Sequence, residues 1–166
     1  LQVSVENLVA KAGYSRATFF RLFGSFSKFQ LSAYRFLARM AVEEYEAVIS
    51  EMTLNPHQLS EVTLSVVYSS HAAIPNPVFQ SMVSRFPNEP ASFFHSEPEN
   101  LAKVIHAYVQ EHKHLGYAHF TEKELAHVLQ VLDHDIFSQR TNPEAKFPCR
   151  DQAKRLRKMF LGFIKA

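Results

Sequence analysis

Apolar residues recur along most of this chain at the three- and four-residue spacing of a helix, and no segment alternates with the two-residue period of a half-buried strand. Val5, Leu8, Val9 and Ala12 share one helical face, which predicts a short amphipathic helix over 4–12 with Ser4 placed to accept at its N-terminus. Gly13 stands just past the last apolar position, where glycine ends helices in the left-handed conformation. Ser15 follows as an N-cap for a second helix that carries Arg16 to Phe23. The pattern is helix, tight turn, helix.

Gly24 and Ser25 interrupt again, and the segment 28–52 then runs without Pro or Gly, which predicts one long core helix. Pro56 closes it. Leu59, Val62, Val67, Tyr68 and His71 mark a helix over 58–74, ended by Pro75-Asn76-Pro77, and a brief helix over 78–86 follows. The stretch 87–98 carries three prolines and is read as a loop with Phe93 and Phe94 turned inward. Leu101, Val104, Ile105, Tyr108 and Val109 predict a helix that ends near Gly116. Thr121 and Glu124 are spaced as a capping box ahead of Leu125, Val128, Leu129, Leu132 and Ile136, in a helix that stops before Pro143. A last helix over 149–165 sets Ala153, Leu156, Phe160, Phe163 and Ile164 on one side and its Lys and Arg residues elsewhere. The expected fold class is all-α, with a small unit at 1–27 and a larger one at 28–166.

Composition narrows the class without changing it. With 46% apolar and 20% charged residues, the chain of 166 residues can bury one sizeable core and does not resemble a disordered segment. Cys149 is the only cysteine, which excludes an internal disulfide framework and fits a reducing compartment. No apolar run approaches the roughly 20 residues of a spanning helix, and no secretory signal pattern opens the chain, so a cytoplasmic location away from membranes is expected.

Charge changes the picture more. Residues 1–40 hold six Lys or Arg (Lys11, Arg16, Arg21, Lys28, Arg35, Arg39) against one acid, Glu6. Residues 41–145 hold five bases and fourteen acids, and 146–166 hold seven bases and one acid. A basic head on an acidic body is the electrostatic footprint of a phosphate-binding surface.

Residues 4–25, SVENLVAKAGYSRATFFRLFGS, resemble the DNA-binding signature of the TetR (or TetR/AcrR) family of transcriptional regulators, in which a Thr/Ser-Val start, an Ala-Gly turn, a Ser and a closing Phe recur. The match covers about a sixth of the chain; the remainder is similar to the family in being helical and in ending with two long amphipathic helices. The resemblance implies a helix-turn-helix with one further helix ahead of Leu1, followed by a ligand-binding and dimerisation domain. It implies repression of a double-stranded DNA operator, relieved by a small-molecule effector.

Carried onto this chain, the resemblance places the reading helix at Ser15, with Arg16, Ala17 and Thr18 towards base edges and Arg21 one turn on. Arg suits guanine edges, Thr a thymine methyl, and Ala permits close approach. Ser4 and Phe20 belong to the same surface. The family usually sets phosphate donors at the positions of Phe20, Leu22 and Phe26, none of which can donate here, and Lys28 is the expected substitute. Phe19 and Phe23 are expected to form the small core with Leu8 and Val9. The alternative is a helical ligand-binding or interaction protein whose reading head is degenerate.

For an effector, the resemblance points to the middle helices, where Tyr68, His71, Phe79, Met82, Phe86, Phe94 and Tyr108 are candidate contacts, Tyr68 and His71 foremost. For a homodimer, it points to Leu125, Val128, Leu132 and Ile136 on one helix and Leu156, Phe160 and Phe163 on the last, although burial within one subunit gives the same periodicity. The nine histidines show no metal-site spacing, and neither a nucleophile elbow nor a phosphate loop is present. No metal, cofactor or catalytic activity is expected.

Overall fold

The computed structural model describes residues 4–86, 97–142 and 144–166. Its elements are α1 (Val5–Ala12), α2 (Arg16–Phe23), α3 (Phe26–Ser50), α4 (Pro56–Ala72), α5 (Asn76–Ser84), α6 (Pro98–Glu111), a 3-10 turn (Lys113–Leu115), α7 (Glu122–Thr141) and α8 (Arg150–Ile164). The fold is all-helical. Among the described residues the only β-type pairing is an isolated bridge between Tyr117 and Lys165.

Local chemistry accounts for most boundaries. Gly13 adopts φ 70°, ending α1, and the side chains of Ser4, Ser15 and Ser25 each accept the backbone N–H three residues on. Because Ser25 caps it, α3 begins at Phe26, so the domain boundary expected between residues 27 and 28 lies inside its first turn. Pro56, expected to close α3, opens α4 instead: at the first helical position its missing N–H costs nothing, and Asn55 and Gln58 on either side of it form a reciprocal capping box. The Thr121–Glu124 box caps α7 as the spacing predicts.

In the body, α6 packs along α7 and α8 along α4, with α3 laid against α4. The main core joins Tyr45 and Ile49 of α3 to Leu59, Ile105, Leu125, Leu132, Leu156 and Phe160. A smaller core holds Leu31 and Tyr34 of α3 against Phe79 and Met82 of α5, with Phe137 of α7 packed on it. Tyr117 donates to the Leu54 carbonyl (2.6 Å) while the Tyr108 hydroxyl accepts the Leu54 N–H (2.5 Å), fixing the corner between α3 and α4.

Candidate functional site

The head is assembled around Phe19. This ring is buried and lies 5.2 Å from Phe23 and 5.3 Å from Phe29, so α2 is anchored to the first turn of α3 by aromatic contact. Leu8, Val9 and Phe23 stay half-exposed, and with Ala12, Phe19 and Leu22 they border an apolar groove of about 520 Å³ on one side of the head.

Thr18 and Arg21 also border this groove, and the start of α2 is set by its cap. Ser15 accepts from the Thr18 N–H (3.1 Å), and the two hydroxyls lie 3.0 Å apart, which keeps Thr18 half-buried. Arg16, Ala17, Phe20 and Arg21 are all exposed and adjacent on the helix surface. Arg16 forms an ion pair with Glu6 of α1 and lies over the Phe20 ring at 5.5 Å. The Glu6 carboxyl is held below the ordinary range by its own backbone N–H, with Ser4 and the Arg16 charge acting in the same direction. Lys28 is exposed on the first turn of α3, its N–H taken by Ser25. Leu22 is exposed and Phe26 lies against Phe29 (6.1 Å), so neither offers a donor. The structure thus brings Arg16, Ala17, Phe20 and Arg21 to one face and leaves Ser4 and Ser15 occupied as caps.

A second polar constellation lies in the body, where α3, α4 and α7 meet. His71 Nε2 is 2.7 Å from Asp133 Oδ1, and its Nδ1 faces the Tyr34 hydroxyl at 3.5 Å. All three side chains are buried, and burial pushes the Tyr34 phenol well above its usual range, with the Asp133 charge adding to the shift. Arg140 closes the group: it donates to the His71 and Ile74 carbonyls and to Asn76 Oδ1, while its guanidinium stacks 3.8 Å over Phe79. Burial pulls Arg140 down to about 10, so it remains charged at neutral pH. Glu6, Tyr34, Asp133 and Arg140 are absent from the sequence-based site sets. Asp133 and Arg140 had a legible signal, since both fall in phase with Leu125, Leu129, Leu132 and Ile136 on the apolar face of α7.

The residues proposed for an effector are not gathered in one place. His71, Phe79 and Met82 are fully packed around Tyr34 and Arg140, with Phe86 partly buried beside them. Tyr68 faces α8 instead: its hydroxyl donates to Gln152 Oε1 (3.1 Å), its ring stacks on Phe147, and burial pushes its phenol up to about 12. Tyr108 serves the corner between α3 and α4, and Phe94 lies outside the described residues. The residues proposed for a dimer contact are mostly interior. Leu125, Leu132, Ile136, Leu156 and Phe160 are at most 1% exposed within the single chain, out of reach of a partner, and only Val128 and Phe163 border the surface. A helix face that fills its own subunit and one that fills an interface share the same period, and here the first use accounts for five of the seven. On the same two helices the exposed apolar side chains are Val131 and Met159.

Among the described residues no three metal-ligating side chains converge, and no helix is long and apolar enough to cross a membrane. No protein-family description, curated protein or solved structure matches this chain.

Proposed function

We propose that this chain is a DNA-binding transcriptional regulator that reads duplex DNA through α2. The exposed face of Arg16, Ala17, Phe20 and Arg21 carries this proposal, on a head whose first 40 residues hold six bases and one acid. A capped helix start with a guanidinium and a small side chain at its first positions suits insertion into the major groove, where such residues reach base edges. Basic residues around it supply the phosphate attraction that holds register. The likeness of residues 4–25 to the TetR signature supports the same role and, with it, a homodimer that represses an operator until a small-molecule effector binds. The continuous α3 supports coupling of body to head, because it carries Phe29 in the head core and Tyr34 in the buried polar group.

A second role is favoured by one observation: Phe20 and Leu22 are exposed apolar residues where the family has phosphate donors. An interaction or ligand-binding protein with a degenerate head would show that surface. The two separate on one comparison, binding of the full-length protein at low salt to its own upstream DNA and to random duplex. A regulator prefers the upstream DNA and is displaced by its effector from a cell extract; equal or absent binding overturns the DNA-binding role.

A further inference from the structure

Arg16, at the start of α2, is tied to the carboxylate of Glu6, which is the only acid in the first 40 residues. The pair adds little to stability, since the two side chains are 65% and 61% exposed and an exposed ion pair is screened by water and salt. The Gly13 turn and the apolar side chains of α1 and α2 along the groove already hold the two helices together. Its effect falls on what Arg16 can touch.

A guanidinium has five donors in a planar fork, and the pair with Glu6 engages one edge through NH1. The guanidinium carbon also lies 5.5 Å from the centre of the Phe20 ring, so Arg16 is held between Glu6 and Phe20. A phosphate approaching this fork meets a carboxylate already seated on it and is repelled by that charge. The neutral guanine edge, with two acceptors in the groove, meets no such repulsion and needs only the donors left over. The same contact therefore disfavours the backbone and leaves base reading open.

We propose that Glu6 is a specificity-determining residue of this head, a carboxylate clasp that keeps Arg16 from serving as a phosphate clamp and reserves it for a base edge. This rests on the DNA-binding role proposed above. Glu6 sits in the first turn of α1, the helix that crosses the DNA backbone in this kind of docking, where an acid has no use as a DNA contact.

The test uses a pool of duplexes randomised over two helical turns, with the full chain as wild type, Glu6→Gln and Arg16→Lys. Enriched sequences and affinity for the unselected pool are both read. We expect Glu6→Gln to bind the unselected pool about two- to fivefold more tightly, with a log–log salt slope steeper by about one, while the base preference at one position of each half-site flattens. Arg16→Lys, which keeps the charge and loses the fork, should flatten that same position without gaining affinity for the pool. Helical content measured on each variant shows that the head remains folded. Unchanged pool affinity in Glu6→Gln, or tighter binding with every base preference intact, overturns the clasp while leaving DNA binding standing. A wild-type chain that enriches no sequence overturns the DNA-binding role and the clasp with it.

Discussion

His71 and Asp133 meet inside the body with Nε2 and Oδ1 2.7 Å apart, joining α4 to α7 where neither side chain reaches water. Buried polar groups of this kind are tolerated only when each has its partners, so removing one of them leaves the other stranded. Asp133→Ala is expected to cost about 3–5 kcal/mol in urea unfolding, and Asp133→Asn, which keeps an acceptor for His71, markedly less. Equal losses from the two substitutions would count against the pair.

Arg140 is bound by shape as well as charge, with three acceptors around its guanidinium and Phe79 beneath it. Lys cannot reproduce that fork, so Arg140→Lys should destabilise the protein by about 2–4 kcal/mol despite conserving the charge. Thermal unfolding at neutral pH measures it. A loss under about 1 kcal/mol would mean that the stacking and the fork matter less than the charge.

Gly13 has φ 70°, and a Cβ built there meets nothing within 4 Å. The cost of a side chain is therefore conformational and not steric with respect to neighbours. Gly13→Val should lose about 1–2 kcal/mol and Gly13→Asn less, since Asn tolerates the left-handed region. Comparison of the two melting temperatures decides it.

The α7 cap supplies a pH dependence. Glu124 is held below the ordinary carboxylate range, chiefly by the Thr121 N–H and then by the Thr121 hydroxyl. A carboxyl with a lowered folded value stabilises fully above its unfolded value and loses that contribution as pH falls through the folded one. The stability difference between wild type and Glu124→Gln should be constant from neutral pH down to the ordinary carboxylate value and shrink below it. Thr121→Ala should cost about 1 kcal/mol at pH 7 by removing the N-cap.

Much of the fold was legible because it depends on local chemistry. Gly13, Ser15 and the Thr121–Glu124 box each act within four residues, and a pattern of residue types is enough to find them. Long-range pairing was not legible in the same way. Nothing near His71 in the chain announces Asp133, which is 62 residues away, and the apolar stripes of α7 and α8 could not say whether they fill their own subunit or a shared one. The Glu6–Arg16 pair crosses the turn between α1 and α2, so the charge count registers its two members without their contact.

Salt dependence of binding to a randomised duplex tests the DNA-binding role most directly, because it reads the electrostatic contact itself. The logarithm of affinity should fall linearly with the logarithm of salt concentration; Arg21→Ala in α2 should weaken binding and reduce the slope by about one, while Lys158→Ala on the exposed side of α8 leaves both unchanged. A slope near zero, or equal effects from the two substitutions, would contradict a DNA-reading surface on α2.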